Sequence, residues 1–190
     1  MCNRGEGTEK NPARAFASFK LAAEQGVVRA FYDLATFYAS GKVVPKNEEL
    51  AVQYFETAVA GGDVLAKFAL SSHLLKGAGC VADKPRSLQL LSEAADFGHP
   101  GAQFNMGIHY IKGDGVATDV TAAASYFEKA RSQGVLQAGI NLVSLYRGNH
   151  GHQKNLAKAT EILRIYVGQS SEGNDHLKAI LKEVNEEMKK

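Results

Sequence analysis

The chain has 190 residues, 45% hydrophobic and 22% charged, a composition that fits a soluble folded protein and excludes wholesale disorder. No stretch approaches the ~18 apolar residues that a membrane helix needs. A total of 22 Lys and Arg against 20 Asp and Glu leaves a net charge of +2, which makes no electrostatic case for nucleic acid or an anionic membrane.

Taken in chain order, the elements repeat. Ala30, Ala66, Ala102 and Ala138 stand 36 residues apart. Four residues on come Leu34, Leu70, Met106 and Leu142, and eight on come Tyr38, Leu74, Tyr110 and Tyr146. That spacing places one apolar stripe along a first helix. Turn glycines follow: Gly41, Gly77-Ala78-Gly79, Gly113-Asp114-Gly115 and Gly151. Then come Asn47, Asp83, Asp119 and Asn155, residue types whose side-chain oxygen caps the start of a second helix. The second helices carry Tyr54-Phe55, Leu90-Leu91, Tyr126-Phe127 and Ile162-Leu163, and three of them close on Gly62, Gly98 and Gly134. Before Ala30 there is room for half a copy, residues 4–29, with Asn11 as its cap and Pro12 in its first turn. The full copies are 30–65, 66–101, 102–137 and 138–173. A final segment, 174–190, carries Leu177, Ile180, Leu181 and Val184 as one stripe on a charged helix, the pattern of a cap that closes the last repeat. The reading is a single all-α array of ten helices.

Chemistry is sparse in this pattern. Cys2 and Cys80 lie far apart with no CxxC partner, so neither a disulfide staple nor structural zinc is indicated, and the usage points to a reducing compartment. The N-terminal run lacks the hydrophobic stretch of a signal peptide. His73 and His109 share a repeat position, but stacked helices lie roughly 10 Å apart, too far to share a metal. His150 and His152 form the one close pair, in a loop. Ser71 and Ser72 lie mid-helix, where no nucleophile elbow forms. The Gly-x-Gly turns follow helices rather than strands, and no GK[ST] follows them, so the phosphate-loop reading fails. Tyr54, Phe55, Tyr126, Phe127 and Phe19 fall on the core stripe rather than on a base-stacking platform. No catalytic, metal or cofactor residue is assigned.

The pattern A-x3-L-G-x2-Y-x2-G-x-G-V-x2-D-x3-A-x2-W/Y-x3-A-A-x2-G resembles the Sel-1-like repeat, a relative of the tetratricopeptide repeat. Residues 102–134 carry it most fully, with Gly107, Gly113, Gly115, Val116, Asp119, Ala123, Tyr126 and Ala130 in place. The fourth copy departs: Val143 replaces the helical glycine, Tyr166-Val167 the Ala pair and Ser170 the last glycine. The resemblance implies a right-handed α-α superhelix, a solenoid of about four helix pairs that serves as a non-catalytic protein-interaction scaffold or adaptor. It also implies that the first helix of each pair lines a concave groove. In this register the groove residues are Tyr32, Thr36, Phe68, Ser72, Leu75, Phe104, Ile108, Ile111, Ile140 and Arg147. They form a mostly apolar strip with an Arg at one end, suited to a peptide or domain with apolar anchors. The alternative is a structural subunit of a larger assembly. Partners are expected to be protein, without nucleic acid or membrane insertion. Self-association is open through the N-terminal half repeat, where Phe16 and Phe19 lack a mate helix.

Overall fold

The computed structural model describes residues 11–169 and 175–189. Residues 4–10 of the half copy, Cys2, Ser170 and the two end residues of the cap segment lie outside them. The described residues form ten α-helices and one 3-10 turn, with no strand among them: α1 Pro12–Glu24, α2 Val28–Ser40, α3 Glu48–Ala60, α4 Val64–Lys76, α5 Lys84–Asp96, α6 Pro100–Lys112, α7 Val120–Ser132, α8 Leu136–Tyr146, the turn Asn149–Gly151, α9 Leu156–Gln169 and α10 Asp175–Glu187. They gather into two compact units, Met1–Glu93 and Ala94–Lys190, and α5 contributes residues to each.

Each helix pair is joined by the same bonds. The Asn or Asp ahead of the second helix caps it: Asn47 Oδ1 accepts from Leu50 N at 2.9 Å and Asp119 Oδ1 from Ala122 N at 2.9 Å. Asn11, Asp83 and Asn155 do the same at 3.0–3.1 Å. The backbone N–H of that residue also donates to the carbonyl eight residues past the anchor Ala. These bonds are Asn47 to Tyr38 (2.9 Å), Asp83 to Leu74 (2.9 Å), Asp119 to Tyr110 (3.1 Å) and Asn155 to Tyr146 (2.7 Å). One residue therefore satisfies an orphan donor of the second helix and an orphan acceptor of the first.

In the first unit the core runs through Ala35, Ala51, Phe55, Ala58, Ala66 and Leu70. Tyr38 stacks on Tyr54 with ring centroids 5.7 Å apart, and the same two register positions repeat the stack in the second unit as Tyr110 on Tyr126, also at 5.7 Å. No residue of α1 is buried; Phe16 meets Phe37 edge-on at 5.5 Å and remains half-buried, as does Phe19.

The core of the second unit includes Phe127, Leu142, Leu145, Leu163, Leu177 and Val184, so α10 closes α9 with its apolar stripe. Phe127 is 1% exposed. It fits because Gly107 faces it: a Cβ there would stand 2.5 Å from the ring. At the same register positions the fourth copy pairs Val143 with Leu163, trading helix bulk for ring bulk. Its other departure is compensated in the same way. Tyr166 stands where other copies have Ala, and Gly139, on the neighbouring helix, leaves the space its ring occupies.

Candidate functional site

The first helices of the first unit, α2 and α4, hold five of the expected groove residues. Tyr32 is half-buried, its ring 5.9 Å from that of Phe55, with the Arg29 guanidinium 4.6 Å above it. Thr36 spends its hydroxyl on the Asp33 carbonyl at 2.7 Å. Phe68 and Ser72 are half-buried, and Leu75 is 42% exposed. Hydroxyls bonded back to their own helix present mainly carbon outward, which makes this strip less polar than its composition suggests.

In the second unit Phe104 lies against Phe127 at 5.8 Å, so the aromatic at this register position packs on the second helix of its own pair. Ile108, Ile111 and Ile140 are half-buried against the same core. The structure brings Ile108 and Ile111 together on the wall of a 270 Å³ cleft between α6 and α8. Ile140 and Arg147 share a 120 Å³ hollow with Leu177 and Ile180 of α10. Arg147 is not an unencumbered cation at the end of the strip. Its guanidinium donates to Glu187 Oε1 at 2.5 Å and to Glu183 Oε2 at 3.3 Å, both on α10. That pairing raises the arginine's affinity for its proton and lowers the Glu187 carboxyl below the usual range.

The histidines at the shared register position act on the loops. His73 Nδ1 lies 3.1 Å from the Ala78 carbonyl and His109 Nδ1 2.7 Å from the Asp114 carbonyl, so each ring donates an N–H that pins the Gly-x-Gly turn. His99 is the N-cap of α6: its Nδ1 accepts from Ala102 N at 3.1 Å, and burial holds its pKa below the ordinary value. Burial and the Glu128 carboxylate, which accepts from its hydroxyl at 3.1 Å, push Tyr146 up to about 12. Burial raises the Cys80 thiol, which stabilises its neutral, unreactive form. No three His, Cys, Asp or Glu side chains cluster to hold a metal among the described residues. No helix among them is long and apolar enough to cross a membrane.

Sequence reasoning missed the caps on the first helices. Asp63 Oδ1 caps α4 at 2.8 Å and His99 caps α6, while Val27 and Val135 leave α2 and α8 without a side-chain cap. Because the four copies differ here, the periodicity carries no signal for them.

The family profile described as Sel1 repeat matches residues 1–27, 29–63, 64–99 and 100–135. Among solved structures, a Sel1 repeat protein from Oxalobacter formigenes is 30% identical with a TM-score of 0.84, covering 96% of this chain and 52% of its own. The protein c5321, a protective antigen of uropathogenic Escherichia coli with an SLR fold, is 31% identical with a TM-score of 0.78 over 87% of this chain. The chain spans about half of the first of these and 35% of the second. No curated protein sequence matches it. With four matched repeats and this all-α solenoid of helix hairpins, the chain belongs to the Sel1 repeat family.

Proposed function

We propose that the chain is a non-catalytic scaffold that holds a partner peptide or domain on the first helices of its repeats, α2 and α4 in the first unit and α6 and α8 in the second. Sel1 repeat proteins are in general protein-interaction scaffolds and are typically non-catalytic. The observation that supports this site is the exposure of apolar side chains the fold does not need to leave open. Ile108 and Ile111 line an open cleft in the second unit, and Leu75 stands 42% exposed on α4 in the first. Interface anchors of this kind are apolar or aromatic, seated among polar neighbours that exclude water.

Phe68 and Phe104 occupy one register position, on α4 and α6, and both are half-buried. The experiment is affinity selection from the native source with the wild type, followed by the variant carrying Phe68→Ala and Phe104→Ala. Truncation of aromatic anchors typically costs ~2 kcal/mol or more in an interface. The double variant should therefore bind the selected partner about 30-fold more weakly, with helix content near wild type by circular dichroism. Unchanged affinity would remove the groove from the account. Loss of helix content would assign these rings to packing instead.

A further inference from the structure

The fourth repeat departs from the others at its loop, and a cleft lies beside that loop. Where the second and third copies place His73 and His109 to pin their loops, the fourth has Leu145, which is 2% exposed and part of the core. Its loop turns instead through Gly148 at φ 92° and His150 at φ 56°, the latter the one non-glycine residue with positive φ among the described residues. Between this loop, α6 and α8 lies the 270 Å³ cleft, with Ile108, Ile111, Phe127 and Leu145 as its apolar walls and Lys112 and His150 on it.

We propose that this cleft receives an aromatic side chain of an acidic partner peptide, with Lys112 meeting a carboxylate next to that side chain; the assignment rests on the interaction reading above. The volume supports a ring: an apolar cavity of about 150 Å³ lined by Leu, Ile and Phe holds benzene, so 270 Å³ has room for a phenol or indole. The charge supports the acid. No carboxylate lines the cleft, and Lys112 is exposed with no carboxylate partner among the described residues. Arg147, the cation farther along α8, is already neutralised by Glu183 and Glu187. The exposed ammonium is therefore the group a bound peptide would meet.

The protein has no Trp, so indole fluorescence reports a bound peptide alone. Two probes suffice, acetyl-Ser-Glu-Trp-Ser-Ala-amide and its counterpart with Lys in place of Glu, titrated into the full chain. The acidic probe should give a saturable blue shift and bind about threefold more tightly than the basic one, as a single exposed charge contact allows. Amide resonances of Ile108, Ile111 and Leu145 should move. Lys112→Gln should remove the preference and Lys112→Glu should reverse it; both change an exposed side chain, so helix content should hold. No saturable shift at millimolar probe, equal affinity for the two probes, or resonance changes confined to other helices would each overturn the cleft assignment. A native partner that is lost with Phe104→Ala but bound equally by Lys112→Glu would overturn it while leaving the scaffold reading standing.

Discussion

His99 does at the start of α6 what Asp63 does at the start of α4, but with an imidazole nitrogen that can accept only when unprotonated. Its pKa is lowered in the fold by burial, so the unfolded chain takes up the proton more readily. The stability it contributes is present above the ordinary histidine value of about 6.5 and is lost as pH falls through the lower folded value. The protection factor of the Ala102 amide, taken against the intrinsic exchange rate at the same pH, should therefore fall on acidification, and His99→Asn, which caps without titrating, should abolish that fall. The same scale holds the Gly107–Phe127 pair. Gly107→Ala gains about 1 kcal/mol of helix propensity but overpacks the ring by about 1–3 kcal/mol, so denaturation should show a net loss of roughly 1 kcal/mol. Phe127→Leu should relieve it, and the double variant should be more stable than the sum of the singles predicts. That glycine was visible in the sequence because the family pattern has it. The matching Gly139–Tyr166 exchange was not, because two departures in one divergent copy carry no periodic signal.

At the level of helices, the 36-residue spacing was enough to place every second-helix cap, because Asn or Asp recurs where the geometry demands a side-chain acceptor. It could not reveal that the same residue's N–H closes on the preceding helix, since any residue but Pro supplies that bond. Nor could it show that α10 engages Arg147, a pairing made across 36 and 40 residues with no periodic counterpart. The α10 stripe itself was legible from its i, i+3, i+4, i+7 spacing, and Leu177 and Val184 are buried where that stripe puts them. Leu177→Asp places an unpaired carboxylate in this contact. In a repeat array such damage stays with its neighbours. Hydrogen exchange should show α8, α9 and α10 losing protection while α2, α3 and α4 keep theirs; uniform loss along the chain would contradict a locally summed stability.

For the molecule as a whole, what it is made of was far easier to read than what it holds. Architecture is encoded in recurring residues, and four copies repeat the message. A binding face is encoded in the residues that do not recur. Thr36, Ser72, Ile108 and Ser144 share one register position and differ in three ways. Only folding shows that Thr36 turns its hydroxyl inward to its own helix, or that Ile108 borders a cleft that Leu145 and the altered loop shape.

The two-ended joint between helices bears on how such a chain can change over generations. Asn155 closes on Tyr146 at 2.7 Å even though the path between them takes a 3-10 turn that no other loop among the described residues has. With both ends clamped, the path between them can differ from copy to copy, as the 3-10 turn does, while positions such as Gly79, where a Cβ would stand 2.2 Å from the Glu48 carbonyl, stay fixed. Heritable variation can then accumulate in the joints while the frame stays constant, and a duplicated or deleted cassette of 36 residues would find the same two bonds waiting at each splice.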